Sequence, residues 1–316
     1  MNPLVTVICL CYNHEKYIVE AVNSVLAQDY DNMEIIIADD FSPDNSREVI
    51  KQLVEKHPSI RTILNEKNMG NCKAFNNALA QANGKYIVDF ATDDVMVKNR
   101  ISKQVEAFER LGEEYGVVYT NVLDIDEHSK LIGLHRKEEE ELPSGDIYIN
   151  VLQRYFISPP SMMMRKSMFD ELGGYDDSLA YEDFDFWVRS SRKYKYYYIK
   201  DVLCHKRILS TSHSAQFHRK GKPYVIDSTI KVCQKALWLN KSEEENQALA
   251  KRISYEMMHA FRMEYFEQVK KYYSLLQDMN AVTSLSRLIK TLSNFRVKVY
   301  WLYRYYIKIR YSHQHS

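Results

Sequence analysis

Residues 4–12 (LVTVICLCY) form a nearly unbroken apolar run, the pattern of a short strand buried on both faces. Ile18, Ala21, Val22 and Val25 follow at helical spacing over 17–26. The alternation then repeats. A strand at 34–38 ends in Asp39-Asp40, and a helix carrying Val49, Ile50, Leu53 and Val54 follows, with Ser42 and Asp44 as candidate caps. A strand at 61–64 precedes a helix with Ala74, Phe75, Ala78 and Leu79. A strand at 86–90 runs into Thr92-Asp93-Asp94, and a helix with Ile101, Val105, Phe108 and Leu111 leads to a strand at 117–123.

Strands alternating with helices imply right-handed crossovers, a mostly parallel central sheet and an α/β, Rossmann-like fold. Ligands of such sheets bind beyond the carboxyl ends of the strands. Asn13, Asp39, Asp40, Asp93 and Asp94 all fall just past predicted strand ends, so four carboxylates gather along one edge. After 123 the pattern changes. Residues 124–135 read as a turn or hairpin, 138–141 as a solvated acidic loop, 161–219 as mixed structure, and the chain from about 224 as helices. The pattern divides the chain into 1–122, 123–219 and a helical C-terminal region, 220–316.

Composition narrows the chemistry. A hydrophobic share of 45% supplies a core. The 9 glycines compare with roughly 22 at ordinary usage, and no G-x-G-x-x-G or G-x-x-x-x-G-K-[ST] loop is present. A phosphorylated ligand therefore needs another source of positive charge, such as a metal held by carboxylates. The net charge of +1 argues against nucleic-acid binding. Five cysteines without a C-x-x-C pair read as reduced core thiols of a cytoplasmic protein. Met1-Asn2-Pro3 leads straight into a strand, so no secretory leader is expected, and no uncharged stretch is long enough to span a membrane.

Six segments, in order, carry a family likeness: VTVICLCYN at 5–13 with SVLAQ at 24–28, EIIIADDFSPD at 34–44, NMGNCKAFN at 68–76, GKYIVDFATDD at 84–94, SMMMRKSMFDELGGYD at 161–176, and YEDFDFWVR at 181–189. Over roughly residues 3–215 the chain resembles the family 2 glycosyltransferases, which have the GT-A fold, and the resemblance implies that 1–122 is the nucleotide-sugar-binding half and 123–219 the acceptor-binding half. The resemblance implies that Tyr12, Asn13 and Asp39 line a nucleotide pocket, with Asp39 placed to accept the imide N–H of a uracil. Asp40, Asn76 and Thr92 belong to the same neighbourhood. Asp93 matches the last acid of the family's D-x-D metal motif and Asp94 the acid that often follows, implying Mn²⁺ or Mg²⁺. Glu182 and Asp183 match the acidic pair that supplies the catalytic base, Asp183 by preference, and Trp187 lies in the adjoining helix.

The implied reaction is an inverting, metal-dependent transfer of a sugar from a nucleoside diphosphate, with UDP preferred, to a saccharide or lipid-linked saccharide in bacterial surface polysaccharide or glycolipid assembly. Two alternatives stay open: a nucleotidyltransferase, and a catalytically impaired nucleotide-binding partner subunit. The chain departs from the family pattern at three places. Ala91 stands where the first acid of D-x-D is frequent, Cys11 where a proline is frequent, and Leu209 where a histidine is frequent. His205 and His213 are nearby candidates for that histidine, each with an ordinary loop or surface histidine as its bland alternative.

Other conspicuous residues have structural explanations. Met162–Met164 read as a buried strand, Tyr196–Tyr198 as packing, Lys73 as a solvated helix position or a diphosphate contact, and Asp176-Asp177 as a turn. Asp185 ranks below the acidic pair because its helical position points elsewhere. No acidic residue follows Asp278, whereas seven Lys or Arg do, giving +7 from 279 onward and −6 before it against a total of +1. One continuous amphipathic helix from 285 is expected, with Leu285, Leu288, Ile289, Leu292, Phe295, Val299, Leu302, Tyr303 and Tyr306 on one side and cations on the other. Such a helix suits an anionic membrane surface at the inner face of the membrane, or packing on its own domain or a second subunit in a homo-oligomer.

Overall fold

A computed structural model describes residues 2–209 and 220–305. The first half alternates as the apolar pattern requires: β1 (Val5–Cys11), α1 (Ile18–Leu26), β2 (Met33–Asp39), α2 (Ser46–Lys56), β3 (Arg61–Leu64), α3 (Asn71–Leu79), β4 (Tyr86–Ala91), β5 (Val95–Met96), α4 (Arg100–Arg110) and β6 (Tyr115–Ile125). Every residue of β1 is buried. Ile18, Ala21, Val22 and Val25 of α1 and Ile101, Val105 and Phe108 of α4 form a core with one face of β1, β2 and β4. Each valine, isoleucine or phenylalanine among them stabilises by about 1.5–3 kcal/mol when fully removed from water.

Then follow β7 (Leu131–Leu134), α5 (Tyr148–Gln153), β8 (Met163–Arg165), α6 (Lys166–Leu172), α7 (Asp183–Ser191) and β9 (Lys195–Arg207). The expected hairpin at 124–135 is β6–β7, closed by the Asp126 carboxylate, which accepts the His128 and Lys130 amides at 2.8 and 2.9 Å.

The described strands lie in the order β3-β2-β1-β4-β8-β6-β9-β5, with β7 beside β6. β3, β2, β1 and β4 are mutually parallel. Beyond them the sheet is mixed. β8 runs antiparallel between β4 and β6, so these two strands, consecutive in the pattern, are not neighbours. The chain leaves β1 toward β2 and β3 on one side, then returns to place β4 on the other. The β1–β4 junction is therefore a topological switch point, with its crevice at the carboxyl ends.

The chain divides into two compact units, one of residues 1–148 and 155–209, the other of 149–154 and 210–316. The second is helical among its described residues, with α8 (Pro223–Leu239), α9 (Glu243–Arg262), α10 (Phe266–Asp278) and α11 (Ser284–Asn294). Ser242 caps α9 by accepting the Glu245 amide at 3.2 Å, and three glutamates open that helix, where they favour its N-terminal dipole. The continuous helix expected from 285 is not formed. α11 ends at Asn294, Arg296 adopts φ 50°, and residues 300–305 are helical again. The five cysteines are buried and free.

Candidate active site

The crevice begins with Tyr12 and Asn13, exposed just past β1. Asn13 takes φ 62°, a left-handed conformation that asparagine tolerates. Its amide donates to Ser42 Oγ at 2.9 Å, and Ser42 Oγ donates to Asp39 Oδ2. The Asp39 side chain is 0% exposed, and its Oδ1 accepts Arg47 Nε at 2.7 Å. Arg47 also lies 5.0 Å from the ring centroid of Phe41 and donates to the Asn65 carbonyl. The carboxylate expected to read a base is thus covered by Arg47 and Ser42.

Asp40 shapes the backbone. It accepts Asn65 Nδ2 at 2.9 Å, the Met69 amide at 2.9 Å and the Gly70 amide at 2.8 Å, which fixes the turn into α3. Asn76 is likewise engaged, donating to the Tyr175 carbonyl at 2.8 Å and accepting the Tyr175 amide at 2.9 Å. Gly174 beside it has φ +79°, and a Cβ there would stand 2.6 Å from Asn76 Oδ1. Only glycine satisfies both demands.

Past β4, Thr92 is buried, its hydroxyl donating to the Leu10 carbonyl at 3.0 Å and lying 2.9 Å from His14 Nδ1. His14 Nε2 is 3.9 Å from Asp93 Oδ2, which places an unexpected imidazole beside the candidate metal carboxylate. Asp94 is buried and accepts the Arg207 amide at 2.8 Å. Burial first, then the Asp93 charge, pushes its carboxyl well above the usual range. Arg207 is the organiser here. Its guanidinium donates to the Asp93 carbonyl at 2.7 Å, the Asp126 carbonyl at 2.8 Å and Glu20 Oε2 at 2.7 Å. His205 pairs with Val95 across β9 and β5, and burial lowers its imidazole. His213 lies outside the described residues.

The remaining acids lie at the start of α7. Glu182 precedes α7 and accepts Asn71 Nδ2 at 2.8 Å, so α3 and the start of α7 are tied through this carboxylate. Asp183 opens α7 with a buried Oδ1 that has no hydrogen-bond partner. Burial, then the Glu182 charge, pushes Asp183 well above the usual carboxylate range, while Lys206 opposes the rise. A carboxyl raised toward neutrality is a stronger base once ionised. Asp185 is buried in a 2.7 Å pair with Arg189, a structural role. Trp187 is buried and its Nε1 donates to Met162 Sδ at 3.3 Å.

Asp89 escaped the motif reading. Tyr175 OH donates to its Oδ2 at 3.0 Å. Burial, then the Glu182 charge, pushes its carboxyl up to about 8. The available signal was a charge inside the apolar strand Tyr86-Ile87-Val88-Asp89-Phe90. His14, Arg47 and Arg207 carried no comparable mark.

The pattern for glycosyl transferase family 2 matches residues 6–173, just over half of the chain. A glycosyltransferase of Methanocaldococcus jannaschii is 30% identical over 228 residues, 71% of this chain and 77% of its own. The chain belongs to glycosyltransferase family 2. The Bacillus subtilis protein EpsE, also named as a glycosyltransferase, is 31% identical over 238 residues, 74% of this chain and 82% of its own. Some relatives are much longer, and the match spans only 36% of one from Rickettsia conorii.

Among solved structures, Staphylococcus aureus TarS 1–349 in complex with UDP-GlcNAc superposes with a TM-score of 0.69 at 18% identity, over 95% of this chain and 91% of that one. The mannosyltransferase PcManGT of Pyrobaculum calidifontis, in complex with GDP-Man and Mn²⁺, gives 0.61 at 16%, over 94% and 86%. These likenesses establish the GT-A fold.

The residues present fit a metal that draws most ligands from its substrate. Among the described residues no three His, Cys, Asp or Glu side chains form a metal cage. Asp94 is committed to β9, which leaves Asp93, with His14 alongside. One or two protein ligands completed by phosphate oxygens is the usual arrangement for Mg²⁺.

Proposed function

We propose that this glycosyltransferase is inverting and metal-dependent, with a nucleoside diphosphate sugar as donor, UDP by preference, and a saccharide hydroxyl as acceptor. The observation that carries the reading is Asp183, a buried carboxyl with one unpartnered oxygen and raised basicity beside Glu182. Asp183 takes the proton of the acceptor hydroxyl as that oxygen attacks the anomeric carbon. Glu182, held by Asn71, is next in line for the same task. A single carboxylate base without a covalent partner suits one displacement, and hence inversion.

Asp93 would hold Mn²⁺ or Mg²⁺, which when bound supplies positive charge against the developing charge of the diphosphate. TarS and PcManGT, with UDP-GlcNAc and GDP-Man, support a nucleotide sugar donor. Growing surface polysaccharide or glycolipid, met at the inner face of the membrane, is the acceptor setting of this reading. A panel of UDP- and GDP-sugars with Mn²⁺, Mg²⁺ or chelator, scored for nucleotide release, tests it. Asp183→Asn is expected to reduce transfer by roughly 10²–10⁴-fold with donor binding retained. Asp93→Ala is expected to remove the metal dependence. Full transfer by Asp183→Asn would move the base elsewhere.

One specific observation favours a second reading. Ala91 and the sparse metal ligands also suit a subunit that binds nucleotide without turnover. Donor affinity with no nucleotide release under any metal would establish it.

A further inference from the structure

The last helices bury only half of their apolar arc. In α11 the docked stripe is Ser286, Ile289 and Ser293, all buried. At 100° per residue, Leu285, Leu288, Leu292 and Phe295 form the neighbouring stripe. Leu285, Leu288 and Phe295 are 55%, 54% and 78% exposed. The next helical stretch repeats this economy. Tyr303 is buried, its ring 6.1 Å from that of His259 and 5.9 Å from the Arg262 guanidinium. Trp301 and Tyr305, four residues apart and directed away from Tyr303, are 67% and 66% exposed. Arg287, Arg296, Lys298 and Arg304 are exposed among them. Glu267 interacts with Arg296 and Glu264 with Lys298. Beyond Asp278 the sequence adds cations only.

We propose that this surface seats the protein on an anionic lipid bilayer. Phe295, Trp301, Tyr305 and the two leucines enter the boundary between headgroups and acyl chains, and the arginines and lysines meet lipid phosphates. Tyrosine and tryptophan suit that boundary because one end of the ring is apolar and the other polar. A second copy of this chain fits less well, since a two-fold contact through the same face would set cations against cations. Nucleic acid fits less well too, because it has no use for exposed leucine and phenylalanine beside the charges. Among the described residues no helix is long and apolar enough to cross a membrane, so the contact is peripheral.

The test uses the full chain and reads sedimentation with vesicles, independently of any transfer activity. Vesicles of phosphatidylcholine with phosphatidylglycerol should carry the protein down at low salt and release it at high salt. Pure phosphatidylcholine should leave it in solution. Each cation near the surface contributes a factor of roughly five, so Arg296→Glu with Lys298→Glu should weaken partition by more than roughly tenfold. Phe295→Ser with Trp301→Ser should weaken it comparably, with the thermal transition of both variants checking the fold. The proposal is overturned if the parent sediments equally with both vesicle types or with neither. It is also overturned if the charge-reversal variant binds like the parent, or if these substitutions instead dissolve a self-associated form.

Discussion

Replacing Asp89 with asparagine tests whether the protein keeps a buried acid at a cost to its stability. The carboxyl lies on β4, accepts a hydrogen bond from Tyr175 and faces Glu182 of α7, Cys72 of α3 and Cys9 of β1, with Arg100 of α4 as the opposing cation. Burial and the Glu182 charge push it up to about 8. In the unfolded chain the same group ionises near its ordinary value of about 4. Below that value both states hold the proton and the native protein loses nothing. As pH rises toward 8 the unfolded state gains by ionising while the folded state does not, so native stability falls through that window and levels off above it. Each unit is worth about 1.4 kcal/mol, so the rise from about 4 to about 8 sets a ceiling of about 6 kcal/mol. Sharing of protons with Glu182 and Asp183 lowers the expected loss to about 2–3 kcal/mol. Asp89→Asn preserves shape and abolishes the titration. Urea unfolding of parent and variant at pH 4, 6 and 8 is the assay. The variant should match the parent at about pH 4 and gain about 2–3 kcal/mol over it by about pH 8. A stability difference that does not change with pH would show that Asp89 is already ionised in the folded state, and the reasoning would fail.

Asn76→Ala leaves the Tyr175 amide and carbonyl without their partners, which should cost about 2–4 kcal/mol in urea unfolding. Because the Asn76 amide is engaged with that backbone, the donor KM should stay near the parent value; a large rise in KM alone would show that Asn76 contacts the donor. Arg207→Met removes the guanidinium that joins the Asp93 carbonyl, the Asp126 carbonyl and Glu20, at an expected cost of about 2–4 kcal/mol, reduced from a fully buried pair because Glu20 is partly exposed. The midpoint of thermal unfolding should fall by several degrees, and the metal concentration required for half-maximal transfer should rise as the Asp93-Asp94 turn loosens.

The first half of the fold was readable because its strands and helices are long enough for their periods to register and each buries a whole face. Val5–Cys11 is apolar throughout, and Ile18, Ala21, Val22 and Val25 recur at the helical interval. β8 was legible as the buried run Met162–Met164, but its place in the sheet was not. Three residues have no period, and the antiparallel place of Met163–Arg165 between β4 and β6 is decided by partners distant in sequence. The tail failed for the opposite reason. Its apolar spacing continues smoothly from Leu285 to Tyr303 across a turn that contains neither glycine nor proline, so nothing local marks the break at Arg296.

The site divides in the same way. Motifs located the carboxylates but not what each one faces, and facing is what separates a structural acid from a chemical one. Asp40 and Asp185 hold amides or an arginine, and those contacts answer their charge, whereas Asp94 holds the Arg207 amide in a fold-organising turn. Asp39 is answered by Arg47, so reading a base there requires the guanidinium to take part or to move. Asp183 keeps an oxygen with no partner at the start of a helix. An unanswered buried carboxyl raises the free energy of the resting protein, and a substrate hydroxyl that donates to it would relieve part of that cost. The acid that is least satisfied by the fold is therefore the one best prepared to accept the acceptor's proton.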